Sequence, residues 1–301
     1  MRTIKKVASH IFIDGFGGMT QGLFATLIIG TMIQQIGLLI GGSTGNVIYL
    51  LGKAAAALTS AGIGVGVAVK YGESPLVTVS AAVAAMVGGY AGKITGGTFF
   101  VDGNAVLAGP GEPLGAFIAA FAGITCGHLV SGKTKVDIIV TPVITIGAGS
   151  VVGLLVGPPI SQMMTGLGSI INWATEQRPF IMGIVVSVVM GMVLTLPISS
   201  AALGIILNLS GLAAGAATIG CCCNMVGFAV ASYRENKFGG LVAQGLGTSM
   251  LQVPNIMRHP LIWLPVIFSS AILGPVSTII ANMQNLSLIH ISEPTRPLYI
   301  S

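Results

Sequence analysis

The stretch Val101–Phe117, VDGNAVLAGPGEPLGAF, interrupts a chain that is otherwise almost continuously apolar. It brings Asp102, Asn104 and Glu112 together with glycines and prolines that cannot continue a regular helix. Irregular backbone at membrane depth is tolerated only where protein or water satisfies its polar groups. The stretch therefore predicts a polar cavity, and the surrounding chain is interpreted as the wall of that cavity.

The composition is that of a polytopic membrane protein. Of 301 residues, 53% are hydrophobic and 7% are charged, whereas soluble domains carry about a quarter charged residues. The length accommodates roughly eight to ten transmembrane helices, so we expect an all-α fold with no soluble catalytic domain and no nucleotide-binding module. The net charge of +5 is attributed to basic cytoplasmic loops and not to nucleic-acid binding.

Apolar runs bounded by charged, glycine or proline residues predict the transmembrane helices. Arg2, Lys5 and Lys6 indicate a cytoplasmic N-terminus. The sequence Gly157-Pro158-Pro159 is expected to end the fifth span. The predicted spans are Met19–Ile40, Val47–Val69, Pro75–Lys93, Leu114–Val130, Val136–Val156, Phe180–Leu194, one or two within Ala201–Ser232, and Ile262–Ala281.

A second interrupted segment is predicted at Leu196–Ser200, where a proline is followed by two serines inside an apolar stretch. Together with Gly109–Pro113 it would give two broken or re-entrant helices, as in transporters built from two related halves. A two-half repeat is therefore our hypothesis. Cys126 and the run Cys221–Cys223 are interpreted as small buried hydrophobic residues, and no metal site is predicted.

Glu112 is the main candidate for a functional carboxylate. An acid within the membrane can accept hydrogen bonds from two hydroxyls of a solute, or act as a general base. The alternative is a helix cap at Pro113, where the helix dipole favours an acid. His128 could have a functional role or simply be a polar residue at the end of its span. Asp137 could be a ligand, an ion-pair partner or a cap.

Amide and carboxylate side chains elsewhere are candidate substrate ligands. Asp102 and Asn104 could contact a substrate or form a turn, as Asp-Gly-Asn often does. Gln252 and Asn255 offer the paired donors and acceptors that suit sugar hydroxyls, but amides also hydrogen-bond between helices. Asn224 lies within an apolar run and is included among the substrate-binding candidates.

The C-terminal segment Leu286–Ser301 begins LSLIHISEPTR and is similar to the translation of a transposase adapter used in sequencing libraries. We interpret it as non-native and exclude it from functional reasoning. The native chain is then expected to form a single integral-membrane domain over residues 1–285 and to continue beyond Asn285.

Four segments carry a resemblance to a known family. They are Gly109–Phe117, GPGEPLGAF; Ser131–Pro142, SGKTKVDIIVTP; Leu196–Ala202, LPISSAA; and Gly245–Asn255, GLGTSMLQVPN. The chain resembles the membrane IIC subunits of the bacterial phosphotransferase system (PTS). It is most similar to a stand-alone IIC-like branch that includes the perfringolysin regulator, and the likeness extends over nearly the whole chain to Asn285.

The resemblance implies a permease that binds a sugar-like solute and presents it to a phosphorylated IIB protein, which donates the phosphoryl group. Glucose-type IIC proteins place a glutamate at the sugar in a Gly-Ile-Thr-Glu-Pro segment, of which Glu112-Pro113 is the matching part. By that resemblance Glu112 would have a substrate-binding and catalytic role, and His128 could assist the phosphoryl transfer. We expect a homodimer in the bacterial plasma membrane, with no cofactor and no IIA or IIB domain in this chain. The alternatives are a IIC-like sensor without transport and a transporter that does not phosphorylate.

Overall fold

The computed structural model describes residues 10–101, 103–107, 109, 111–196, 209 and 211–284. In the described residues of the first part of the chain, the regular structure is helical apart from one short hairpin, whose strands pair antiparallel with Phe100 opposite Ala105. Its elements are α1 (Phe16–Leu23), α2 (Ile29–Ile40), α3 (Gly42–Ala57), α4 (Thr59–Tyr71), α5 (Pro75–Gly89), α6 (Ala91–Thr95), β1 (Phe100–Val101), β2 (Asn104–Ala105) and α7 (Pro113–Val130).

The second part is helical wherever it is described in regular structure. Its α-helices are α8 (Asp137–Thr175), α9 (Pro179–Thr195), α10 (Gly211–Ala231), α11 (Tyr233–Val242), α12 (Val253–Arg258) and α13 (Leu264–Pro275). Wider π-helical turns occupy His10–Gly15, Phe24–Ile28, Ala243–Gly247 and Val276–Ile280, and 3₁₀ turns occupy Ser249–Gln252 and Pro260–Trp263.

The prediction of an all-α polytopic membrane protein is confirmed. Within the described ranges, five helices are long and apolar enough to cross a membrane, and α3 with α4, bent by 54°, adds a sixth. Two shorter apolar helices, α5 and α9, accompany them. The sequence led us to expect eight to ten spans. Residues 197–200, the greater part of the predicted second break, lie outside the described residues.

The predicted end of the fifth span at Gly157-Pro158-Pro159 is wrong. Helix α8 continues through Pro142, Pro158 and Pro159 to Thr175. A proline removes one backbone donor, but a transmembrane helix tolerates this loss when neighbouring groups and local adjustments satisfy the freed carbonyl. Proline therefore marked the helix starts at Pro75, Pro113 and Pro179 correctly, and failed as a stop signal here.

The chain forms two compact units. Unit 1 comprises residues 1–162 and 250–260, and unit 2 comprises residues 163–249 and 261–301. The expected two-half repeat and the single domain over 1–285 stay predictions.

The helices of unit 1 pack against each other at glycines and through contacts between aromatic rings. A Cβ atom at Gly18 of α1 would lie 2.6 Å from the carbonyl oxygen of Gly66 in α4, so these two helices meet backbone to backbone. The rings of Phe16 and Phe117 lie 4.8 Å apart and join α7 to the same core. Helix α7 is thereby fixed, and with it the loop that precedes Pro113.

Unit 2 is built in the same way around α9, α10 and α13. A Cβ atom at Gly183 would lie 2.9 Å from the carbonyl oxygen of Gly274, and Gly220 faces the backbone of Ser187. Met182, Val186 and other apolar side chains of α9 form the core with α10. Such close backbone approach leaves room for buried polar side chains to bond across helices.

Candidate functional site

Glu112 lies at the boundary between the irregular loop and helix α7. Its backbone is extended, with φ −93° and ψ 112°, and Pro113 begins the helix. The amide nitrogen of Glu112 donates to the carbonyl oxygen of Gly89 at 2.7 Å, and its carbonyl oxygen accepts from Ala116 at 3.0 Å. The residue is therefore held both to the end of α5 and to the first turn of α7.

The carboxylate of Glu112 is half-buried, and its Oε1 atom has almost no solvent access. The side chain makes no capping hydrogen bond to the first turn of α7. The alternative that Glu112 serves as the N-cap of α7 is therefore not supported by a side-chain hydrogen bond. Its negative charge is still favoured at this position by the helix dipole.

The loop before Glu112 is packed closely against α4 and α5. Gly111 has φ +76°, a conformation that side chains other than glycine rarely adopt, and a Cβ atom there would collide with the hydroxyl of Ser60. Ser60 is fully buried and also contacts Gly89. Both the backbone conformation and the space at position 111 therefore require glycine.

Tyr90 holds the same loop in place through its hydroxyl group. Its side chain is 1% exposed, and its hydroxyl donates to the carbonyl oxygen of Gly109 and lies 3.3 Å from the carbonyl oxygen of Ala57. Ala57 is the last residue of α3, at the 54° bend into α4. The ammonium group of Lys93 lies 5.4 Å from the centre of the Tyr90 ring. The Tyr90 side chain thus contacts the loop, the helix bend and the partly buried Lys93.

Replacing Tyr90 with phenylalanine is expected to loosen this loop. The change keeps the ring but removes the hydroxyl, leaving the partly buried carbonyl group of Gly109 without its donor. We expect the free energy of unfolding to fall by about 1 kcal/mol, measured as a lower thermal midpoint in detergent. Tyr233→Phe is the matched control, since Tyr233 is 48% exposed. Equal midpoints for the two variants would contradict the role assigned to Tyr90.

The other predicted ligands of unit 1 occupy different environments. Asn104 is exposed on strand β2, and Asp102 lies outside the described residues. Gln252 is 4% exposed, and its Oε1 atom accepts from Nδ2 of Asn255 at 2.8 Å. Asn255 itself is exposed. The two amides of the Gly245–Asn255 segment therefore form a pair within one helical turn.

His128 and Asp137 belong to the opposite end of α7 from Glu112. His128 is 70% exposed, and its Nδ1 atom lies 3.0 Å from Oε1 of Glu73. Sixteen residues of helix separate His128 from Glu112, which is about 24 Å along the axis at 1.5 Å per residue. These two side chains cannot act on the same atom of one substrate in this conformation.

Asp137 satisfies the backbone of the turn before α8. Its Oδ1 atom accepts from the amide nitrogen of Gly132 at 2.9 Å and from the hydroxyl of Thr141 at 2.6 Å. Of the three roles considered for Asp137, these hydrogen bonds correspond to the cap. Ser74 and Ser131 hydrogen-bond to each other at 2.9 Å beside it, joining the turn before α5 to the turn after α7.

Asn224 is the centre of a buried polar network in unit 2. Its Nδ2 atom donates to the carbonyl oxygen of Gly220 at 3.1 Å and to the hydroxyl of Ser270 at 3.2 Å. Its Oδ1 atom lies 3.1 Å from the hydroxyl of Thr195 and accepts from the indole nitrogen of Trp263 at 3.3 Å. Protein groups therefore engage both ends of the amide, and a substrate would have to displace them.

Sequence reasoning missed several residues of these sites. Tyr90 and Ser60 support the Glu112 loop, and Thr195, Ser249 and Ser270 complete the Asn224 network. Their partners lie far away in the sequence, so no local spacing indicates them. The one available signal was a tyrosine directly after the glycine pair that ends α5.

Among the described residues, no group of three His, Cys, Asp or Glu side chains could hold a metal ion. An apolar groove of about 410 Å³ lies on α9 and α13 of unit 2, and no predicted site residue lines it. Its lining residues are Phe180, Ala271, Ile272, Pro275, Val276, Ile279 and Ile280.

Comparison with known proteins identifies the family. No curated protein and no solved structure matches the chain. A family model described as "Phosphotransferase system, EIIC" matches residues 13–290. The match ends within the segment Leu286–Ser301 that we interpret as non-native. Because the match covers most of the chain, and because its helices are those of a multi-pass membrane protein, the chain belongs to the EIIC family of the phosphotransferase system.

Proposed function

We propose that this PTS permease-type protein binds a sugar-like solute at Glu112 and moves it across the bacterial plasma membrane for phosphorylation by a separate IIB protein. Family membership supports the general role, since the family match extends over residues 13–290. The basic residues Arg2, Lys5 and Lys6 support a cytoplasmic N-terminus. That the solute is a sugar and that the phosphoryl donor is a IIB protein are the parts that we propose.

The observation that carries this proposal is the position of Glu112. An acid with a buried carboxylate oxygen sits where an apolar helix begins after an irregular loop. Ionisable residues inside membrane proteins mark substrate or ion pathways by default. The precise packing of Gly111 and Tyr90 around the loop supports a site whose acid must be held in one orientation.

A carboxylate suits a sugar for two chemical reasons. Its two oxygens accept charge-assisted hydrogen bonds from neighbouring hydroxyl groups of the ring. The same oxygens can accept the proton of the hydroxyl that attacks the phosphoryl donor, so that the proton moves to Glu112 as the new P–O bond forms. The bond between phosphorus and the carrier residue of IIB breaks as the new bond forms, and IIB leaves in its unphosphorylated state. Glu112 would thus first bind and then act as base.

A binding screen tests the solute class. Purified protein is heated with individual sugars, polyols and, as a comparison, amino acids, and the unfolding midpoint is recorded. A ligand at about 100 times its dissociation constant adds roughly 2.7 kcal/mol to the stability of the folded state. We expect at least one sugar or polyol to raise the midpoint and amino acids to leave it unchanged. Stabilisation by amino acids alone would contradict the proposal.

Uptake separates transport from sensing. For the sugar that the screen identifies, we expect accumulation of sugar phosphate in vesicles only when phosphorylated IIB is present on the cytoplasmic side. Binding without any uptake would instead support the IIC-like sensor, and uptake of unmodified sugar would support a transporter without phosphorylation.

A further inference from the structure

The apolar groove of unit 2 runs beside the contact between α9 and α13. It has a volume of about 410 Å³, and all of its lining residues are hydrophobic. Ile272, Val276 and Ile280 line it at a spacing of four residues, on one face of α13 and of the π-helical turn that follows. All three side chains are exposed, so the described part of the chain leaves the groove uncovered.

The groove begins beside the first turn of α9. Helices α9 and α13 run antiparallel, because Gly183 packs on Gly274 and the hydroxyl of Thr278 donates to the carbonyl oxygen of Pro179 at 2.8 Å. The lining residues after Thr278 therefore lie beside the start of α9, and those before Gly274 lie beside its later turns. The groove thus extends inward from the start of α9 by about 13 Å along α13, at 1.5 Å per residue.

The turn before α9 has the composition of a membrane–water interface. Trp173 is exposed in the last turn of α8, and the turn Glu176–Arg178 that follows is polar. Tryptophan is enriched at the level of the lipid headgroups, and charged residues are rare below that level. Phe180, two residues after Arg178, already lines the groove. The groove therefore opens at the headgroup level and continues from there into the hydrocarbon layer.

Arg178 is a cation at the open end of the groove. Its carbonyl oxygen accepts from the amide nitrogen of Met182, but its exposed guanidinium group makes no hydrogen bond or ion pair with any residue that the structure describes. Its acidic neighbour Glu176 is also exposed and is not paired with it. A guanidinium group binds a phosphate through two parallel hydrogen bonds. An unpaired phosphate-binding cation therefore adjoins an uncovered apolar groove.

We propose that this groove binds one acyl chain of a phospholipid whose phosphate is bound by Arg178. The cation and the groove complement the two chemically different parts of such a lipid. Glu176, two residues before Arg178, suits the ammonium group of an ethanolamine headgroup. The site lies in unit 2 and is separate from Glu112, so it is independent of the proposed solute site.

The width of the groove favours a hydrocarbon chain over a helix. A volume of about 410 Å³ spread over about 13 Å gives a groove roughly 6 Å wide. A helix with its side chains is about 10–12 Å in diameter. A second helix would therefore rest on the rim of the groove, and its side chains would offer Arg178 no phosphate. An acyl chain enters the groove and brings the phosphate with it.

Photocross-linking in a maltoside detergent tests this site. Purified protein is mixed with phosphatidylethanolamine that carries a diazirine on one acyl chain, illuminated and digested, and the labelled residues are mapped. We expect labels to concentrate on Phe180, Ile272 and Val276, several-fold above Leu273, which is exposed on α13 but does not line the groove. Diacylglycerol with the same diazirine lacks the phosphate and should label the groove about tenfold less, given the strength of hydrogen bonds between charged groups.

Two variants test the two parts of the site separately. Arg178→Gln should lower phospholipid labelling about tenfold, whereas Arg234→Gln removes an exposed arginine of α11 and should leave it unchanged. Ala271→Phe fills the groove and should abolish its labelling. Leu273→Phe is the matched control, with the same new side chain on the same helix outside the groove. The thermal midpoint of each variant shows whether it is folded.

Three results would overturn the proposal. Labels spread evenly over Leu273 and the groove would indicate ordinary contact with surrounding lipid. Equal groove labelling by phospholipid and diacylglycerol, or by wild type and the folded Arg178→Gln variant, would remove the phosphate contact. An unlabelled groove would show that another copy of the chain or another protein segment covers it.

Discussion

Glu112→Gln is expected to reduce solute uptake by about a hundredfold or more while the protein still reaches the membrane. The amide keeps the size of the side chain but loses its charge and its capacity to take a proton. Loss of a general base costs about 10²-fold to 10⁴-fold in rate, and hydrogen bonds to a charged acceptor are about twice as strong as those to a neutral one. Initial uptake rate per folded protein is the measurement.

The control for this change is Glu176→Gln. Glu176 is an exposed acid in the turn between α8 and α9, so the same chemical change there should leave uptake unaltered. Membrane content and thermal midpoint are measured for both variants. Uptake by Glu112→Gln at the level of wild type would remove the carboxylate from the mechanism.

Asn224→Leu is expected to destabilise the protein by about 2 kcal/mol. Leucine has a similar size but no polar atoms, so Trp263 loses its acceptor and Ser270 loses its donor. Interhelical hydrogen bonds in membranes contribute about 0.6 kcal/mol on average and at most about 1.7, and Asn224 makes several. The thermal midpoint should fall, whereas solute affinity of the remaining folded protein should stay within about twofold.

The matched control is Asn236→Leu, because Asn236 is an exposed amide in α11. It should leave the midpoint unchanged. The opposite pattern for Asn224→Leu, a normal midpoint with lost solute affinity, would contradict the network interpretation and support the substrate-binding role that the sequence suggested for Asn224.

The helix starts could be predicted from sequence because proline signals them locally. Leu114–Val130 and Phe180–Leu194 were expected, and Pro113–Val130 and Pro179–Thr195 are observed. The bend at Leu58 could not be predicted, because no proline marks it and the apolar run continues on both sides. Membrane helices are equally apolar whether straight or bent, so hydropathy contains no signal for the difference.

In the candidate site, too, some residues could be predicted from the sequence and others could not. The sequence singled out Glu112 because an acid before proline in an apolar chain is conspicuous. It could not indicate that Tyr90 holds the carbonyl of Gly109, or that Ser60 fills the space beside Gly111. Such supports arise from tertiary packing between distant helices. Asn224 was noticed as a buried amide, but only the positions of Thr195, Trp263 and Ser270 reveal how it is satisfied.

Thiol labelling at position 112 tests the central claim most directly. In a background without Cys126 and Cys221–Cys223, Glu112→Cys is treated with a small membrane-impermeant thiol reagent, and Glu176→Cys, at an exposed position, is treated in the same way as the control. We predict labelling at least tenfold slower at position 112, because the Oε1 atom of Glu112 has almost no solvent access. Equally rapid labelling at the two positions would show that position 112 faces open solvent and would contradict the account.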